Sequence, residues 1–262
     1  MLDLVVLGIV QGLTEFLPVS STAHLVFAEH FLGIRRPGLV LEGVLHLGTA
    51  LAAIVLFWPD VVRLLRSGLT IVTRRGSDPY AKLAVAIVAA TAVTAVLGLA
   101  FEHQLERMFS SVRGTAFQLI ITGLLLLWHT ERGQRAATDA TAPDGLALGL
   151  AQAIAIIPGI SRSGTTIVTG LRLGFERTEA TRLSFLIAIP AIVGAGLLTL
   201  KDARQAAAMG YTIPQFAVGF AVAALVGGAS IRWLMDLVRR GRLGYFAAYC
   251  CIVGLIVLVV VR

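Results

Sequence analysis

A carboxylate, two hydroxyls and an imidazole follow one another closely near the N-terminus, at Glu15, Ser20, Ser21 and His24. Gln11 precedes Glu15 by four residues, so the two share one face of any helix that carries them. Ser20, Ser21 and Thr22 come just after Pro18, and His24 lies three residues beyond Ser21, on the same face if a helix starts there. A hydroxyl or imidazole nucleophile beside an acid/base group is the residue set of covalent catalysis. Ser21 is the favoured nucleophile and His24 the alternative, with Glu15 activating the attacker or holding a metal.

A second polar cluster lies far along the chain, in Pro158-Gly159-Ile160-Ser161-Arg162-Ser163-Gly164-Thr165-Thr166. The free backbone N–H groups at the start of a helix bind anions, and Ser161 and Ser163 can add donors. Arg162 offers a fork that matches phosphate oxygens. Gly164, Thr165 and Thr166 complete a run of small and hydroxylated residues. A Ser N-cap beside an interfacial Arg is the plainer alternative, but it leaves an Arg between two apolar segments without a purpose. Taken together, one cluster supplies a nucleophile and proton transfer while the other stabilises charge on phosphate oxygens, which is the division that phosphoryl transfer needs. No Walker A loop, zinc-protease helix or kinase signature is present.

The elements that must position these residues belong in a membrane. Of the 262 residues, 57% are hydrophobic and only 14% charged, against roughly 25% charged in a soluble domain. Six segments approach the roughly 20 apolar residues of a spanning helix, at 39–58, 81–101, 113–129, 181–200, 214–236 and 244–261. The net charge of +7 is spread through the loops between them. That is the positive-inside pattern rather than a nucleic-acid surface. The N-terminal run carries Asp3, Gln11, Thr14 and Glu15 and reads as mature structure, not as a cleaved leader. The adjacent Cys250 and Cys251 read as packing residues.

The chain also repeats itself. Gly8-Ile9-Val10-Gln11 precedes Pro18-Val19-Ser20-Ser21, and Gly149-Leu150-Ala151-Gln152 precedes Pro158-Gly159-Ile160-Ser161. Two halves are expected at 1–133 and 144–262, joined by a polar linker at 134–143. The apolar segments 4–17 and 146–157 are too short to cross. Each ends at a proline and is followed by another short stretch, 22–32 or 164–173. Such broken segments are tolerated at membrane depth only inside protein or beside a cavity, and paired ones point to a midplane site. The expected fold is an all-α integral membrane protein, an inverted-topology repeat of six transmembrane helices plus two re-entrant helical hairpins. Most of the 22 Lys and Arg residues then fall on one side, the cytoplasmic one. Glu42 and His46, also four apart, could extend the cleft or sit at headgroup level. Trp58, Trp128 and Trp233 read as interface anchors.

The run from Gln11 through Glu15, Pro18, Ser20, Ser21 and Thr22 to His24 closely resembles the first motif of the undecaprenyl pyrophosphate phosphatases, the bacitracin-resistance proteins. The run Pro158–Thr166 resembles their second motif, and length, span order and internal repeat agree over essentially the whole chain. The resemblance implies hydrolysis of undecaprenyl pyrophosphate to undecaprenyl phosphate and inorganic phosphate, recycling the carrier for cell-wall peptidoglycan and conferring bacitracin resistance. It implies a multi-pass protein of the bacterial cell membrane whose active site opens to the outer face and to lipid. It implies a divalent cation, Mg or Ca, as cofactor. Glu15, Ser21, His24, Ser161, Arg162, Ser163 and Thr166 are its expected site residues. Where the family's motif begins with Glu or Gln this chain has Gln11, which can coordinate through its carbonyl but brings no charge. The partners implied are the polyprenyl pyrophosphate lipid and the bilayer, with a homodimer left open. The rival reading is a polyprenyl-phosphate transporter or flippase, since inverted repeats with broken helices are also transporter architecture.

Overall fold

Prolines and polar caps cut this hydrophobic chain into helices whose ends are satisfied locally. The computed structural model describes residues 1–34, 39–72, 78–108, 111–130, 133–199 and 212–261. Among them the structure is helical, with no strand and one isolated bridge between Arg135 and Phe175. In chain order the elements are α1 (Leu2–Thr14), α2 (Ser21–Leu32), α3 (Leu39–Leu56), α4 (Trp58–Val72), α5 (Pro79–Ala100), α6 (Glu102–Met108) and α7 (Val112–Leu127). A short 3-10 turn (Ala137–Asp139) leads to α8 (Ala142–Ile154), α9 (Arg162–Arg172), α10 (Arg177–Thr199), α11 (Ile213–Arg239) and α12 (Gly244–Val260). Asp78 caps α5 by accepting from Tyr80 N at 3.0 Å, with Pro79 opening the helix. Thr141 and Asp144 form a reciprocal box at the start of α8.

Three helices, α5, α10 and α11, are long and apolar enough to cross a membrane, and they cover the expected spans at 81–101, 181–200 and 214–236. The span expected at 39–58 is α3, Leu39–Leu56. The chain breaks at Phe57, and α4 leaves at 86° to α3. This amphipathic helix, with Asp60, Arg63 and Arg66 among apolar residues, stands where hydropathy suggested a loop. The expected spans at 113–129 and 244–261 are α7 and α12, apolar helices of 16 and 17 residues. The two segments judged too short to cross are α1 and α8, each 13 residues long. The protein is thus a multi-pass helical membrane protein.

Lipid provides no hydrophobic push between helices, so close packing falls to small residues. α1 lies along α11, and α8 along α5. Each contact runs through glycines four residues apart. A Cβ on Gly12 would meet Val226 Cβ at 2.7 Å and the Ala223 carbonyl oxygen at 2.9 Å. One on Gly145 would meet the Ala86 oxygen at 2.3 Å, and one on Gly149 would meet Ala90 Cα at 2.7 Å. α7 pairs with α12, and α3 packs on both α10 and α11. At the centre, fully buried Phe16 meets Phe185 edge-on at 5.3 Å. The polar stretch 134–143 is anchored: the Arg135 guanidinium donates to Asp144 at 2.7 and 3.2 Å and lies 4.3 Å over the Phe175 ring.

The α5–α8 contact gives a direct test. Gly145→Ala and Gly149→Ala force two backbones apart and should each destabilise the protein by about 1–3 kcal/mol. Gly194→Ala in α10, where an added Cβ meets nothing within 4 Å, should leave the melting temperature in detergent unchanged. Equal melting of all three would show that the glycines do not set this packing.

Candidate active site

Both polar clusters lie at the ends of short helices that proline stops. Pro18 has no N–H to donate and disfavours helix in the residue before it, so α1 ends in a tight turn closed by Val19 N on the Leu17 carbonyl at 2.7 Å. Ser20 follows at φ +66°, the only non-glycine residue with positive φ among the described residues. Holding an L-residue there costs on the order of 1–3 kcal/mol. Its Oγ accepts from Ala23 N at 3.3 Å and caps α2. In the second turn Gly159 takes φ +96°, which glycine reaches without penalty. Thr122 of α7 fastens that turn, donating to the Gly159 carbonyl at 2.8 Å and accepting from Ser161 N at 3.0 Å.

The two turns touch. Ser163 Oγ donates to the Leu17 carbonyl at 3.0 Å. At the junction Glu15 collects four partners. Arg162 Nη2 donates to its Oε1 at 2.5 Å. Gln11 Nε2 and Ser21 Oγ donate to Oε2 at 2.8 and 2.7 Å, and His46 Nε2 stands 3.4 Å from that same oxygen. Glu15 is 6% exposed. Two polar atoms remain buried and unpartnered here, Arg162 Nη1 and Gln11 Oε1. The junction therefore keeps one spare donor and one spare acceptor beside a compensated carboxylate.

Each expected residue can now be placed. Gln11, Glu15, Ser21 and Arg162 converge as one hydrogen-bonded group. His24 lies one helical turn on from Ser20, whose carbonyl its Nδ1 meets at 2.8 Å. Ser161, Ser163, Thr165 and Thr166 turn their hydroxyls into the protein. Ser161 accepts from Gly164 N at 3.0 Å, Thr165 donates to the Ser161 carbonyl at 2.5 Å, and Thr166 shares 2.6 Å with Ser184 Oγ. These residues build the turn that carries Arg162, and the Gly164 N–H donates to the Ser161 cap. Thr22 is half-buried and takes no part in the network. Gln152 repeats Gln11 in sequence but bonds Thr94 Oγ1 at 3.0 Å, away from the two turns.

A family model described as bacitracin resistance protein BacA matches residues 4–256. The chain belongs to the BacA family. It is similar to proteins named undecaprenyl-diphosphatase from Halothermothrix orenii, 39% identical over 97% of this chain and 95% of that one. The protein of that name from Methanobrevibacter smithii is 39% identical over the same shares. That from Moorella thermoacetica is 39% identical over 99% of this chain and 97% of its own.

Three contacts of this BacA-family site were not legible from its motifs. One is His46, whose Nε2 stands 3.4 Å from Glu15 Oε2. Thr122 and Tyr249 arrive from α7 and α12. Tyr249 OH lies 2.8 Å from His24 Nε2. Nothing in the sequence near either residue signals this, because the contacts exist only once the helices pack.

The ion pair can be measured. Glu15→Ala leaves a buried guanidinium uncompensated, and Arg162→Ala leaves a buried carboxylate. Each should cost about 3–5 kcal/mol, and the double variant should cost clearly less than the sum. Additive losses in detergent unfolding would mean the two groups do not stabilise one another.

Proposed function

We propose that this chain is an undecaprenyl-diphosphatase, hydrolysing undecaprenyl diphosphate to undecaprenyl phosphate and inorganic phosphate and so returning the lipid carrier to peptidoglycan synthesis. The observation that carries the reading is a single one: Ser21 Oγ sits on Glu15, and Arg162 from the other turn sits on the same carboxylate. A hydroxyl within hydrogen-bond reach of a carboxylate base is an activated nucleophile. A guanidinium with a spare Nη1 beside it is a phosphate clamp.

The reaction follows from those positions. The polyprenyl tail lies among the helices in lipid, and the diphosphate enters between the turns. Phosphate oxygens compete with Glu15 for Arg162. As the guanidinium turns to them, Glu15 is left to the Ser21 proton. Ser21 Oγ attacks the terminal phosphorus, its proton passes to Glu15, and the anhydride P–O bond breaks to release undecaprenyl phosphate. Water then attacks the phosphoserine. His24 takes the water's proton, Glu15 returns its own to the departing Oγ, and inorganic phosphate leaves.

A divalent cation, Mg or Ca, is part of the proposal. Among the described residues no three of His, Cys, Asp and Glu cluster as a cation cage. The unpartnered Gln11 Oε1 beside Glu15 nonetheless fits Mg²⁺, which is held through one or two protein oxygens together with substrate phosphates. Gln11 and Glu15 would hold it, and bound there it would neutralise charge on the phosphate oxygens.

The architecture is read as two inverted halves, 1–133 and 144–262, joined by 134–143, with six spans and two re-entrant hairpins, α1–α2 and α8–α9. The sequence repeat supports this, as does an exchange in the packing. α1 of the first half rests on α11 of the second, and α8 of the second rests on α5 of the first. An opening to the outer side of the cell membrane is what the family resemblance implies, and the bias of basic residues to one set of loops supports that orientation.

Purified protein in detergent, where vectorial transport has no meaning, should release phosphate from undecaprenyl diphosphate. Ser21→Ala and Arg162→Ala should lower the rate by about 10²–10⁴. Parental turnover by Arg162→Ala would remove the clamp, and no release by the parent would favour a transporter. In the same assay a chelator should stop the reaction and added Mg²⁺ restore it. Gln11→Glu should lower the Mg²⁺ concentration needed for half-maximal rate. An unchanged requirement would place the cation elsewhere.

A further inference from the structure

Tyr249 stands in α12, more than two hundred residues from the motif it touches, and no step above uses it. Its hydroxyl lies 2.8 Å from His24 Nε2, and the two rings run parallel within 10°, their centroids 5.6 Å apart. The next residue holds the same turn. Cys250 Sγ donates to the Pro18 carbonyl at 3.6 Å. α12 is itself fixed against α7, where a Cβ on Gly123 would meet the Ala247 oxygen at 2.8 Å. One helix turn therefore grips the first hairpin at two points, and Tyr249 is placed by the scaffold.

Hydrogen-bond chemistry settles the direction of the contact. The Ser20 carbonyl can only accept, so the His24 Nδ1 that meets it at 2.8 Å carries the hydrogen. In the neutral ring Nε2 is then a bare lone pair, and the Tyr249 O–H donates to it. A phenol can also accept. Once Nε2 gains a proton the same pair survives with the roles exchanged. Tyr249 is thus a partner for both protonation states of His24. At 42% exposed it is the member of the pair that reaches out of the protein.

We infer that Tyr249 relays the proton between the attacking water and His24: its oxygen takes the water's proton as its own O–H proton passes to Nε2, whose lone pair it already occupies. This rests on the phosphatase reading above and adds to it a residue outside both motifs. Tyr249→Phe keeps the ring and removes only the hydroxyl. It should lower kcat about tenfold or more, because the hydroxyl that passes the proton to His24 is gone. KM should stay within about twofold, because Tyr249 does not touch the diphosphate, and the melting temperature should match the parent. In a His24→Ala background the same change should have no further effect, since the group it acts through is gone.

The outcomes separate. A parent that releases no phosphate sinks the phosphatase reading itself. An active parent with a Tyr249→Phe variant of equal kcat sinks the role of Tyr249 alone. A loss of kcat matched by a fall in melting temperature, or persisting undiminished without His24, would make the residue mere packing and overturn the inference equally.

Discussion

One ion pair, Glu15 with Arg162, ties the rest of the structure together. A lone charge at the centre of a helix in a bilayer costs roughly 2.5–3.5 kcal/mol on insertion scales, and both side chains are largely buried. Each compensates the other at 2.5 Å, and neither could do so from its own half of the chain. The charges therefore demand that two segments distant in sequence meet inside the protein. Breaking the helices at Pro18 and Pro158 points two chain ends at one another. The strained backbone of Ser20, the left-handed Gly159 and the Ser163 bond to the Leu17 carbonyl all serve the meeting of those two ends.

Broken helices have a cost of their own, since backbone groups freed at a break must find partners away from water. Here side chains from other helices supply them. Thr122 of α7 serves both sides of the second turn, Cys250 of α12 reaches the first, and Ser230 of α11 donates to the Leu13 carbonyl at 2.9 Å. None of these donors would reach without close helix contact, which is what Gly12, Gly145 and Gly149 permit. The glycine seams and the polar turns are parts of one solution. The seams bring α1 and α8 against long helices, and those helices with α7 and α12 satisfy the turns.

Much of this was legible in the residues themselves. An acid and a base inside apolar segments announce a pocket, and proline followed by Ser marks where each helix breaks and the next begins. The short helices α1, α2, α8 and α9 lie close to where those signals placed them. What hydropathy misread was direction. It ended the span at Trp58 and left Arg63 and Arg66 to a loop, while Asp60, Arg63 and Arg66 belong to an amphipathic helix turned through 86°. Window averages are blind to such a bend because it changes orientation without changing composition. The hydroxyls of Ser161, Ser163, Thr165 and Thr166 looked like ligand donors for a related reason. Sequence gives their number and spacing, not whether a cap or a neighbouring carbonyl has already claimed them.

The division between claimed and unclaimed groups explains how the site can be both stable and reactive. If every donor were satisfied internally, a diphosphate would have to break protein bonds to bind. If many were free, the folded protein would carry several buried unsatisfied groups at about 1–3 kcal/mol each. The structure keeps two, Arg162 Nη1 and Gln11 Oε1, one donor and one acceptor. Arg162 can lean to a phosphate through the free nitrogen before it lets go of Glu15 with the other, so recognition and release of the carboxylate need not be separate events. Gln11 occupies its place without a second negative charge, which lets Glu15 be balanced by Arg162 alone. A second carboxylate there would leave the resting pocket with an excess anion, and the chain avoids that by placing an amide at position 11.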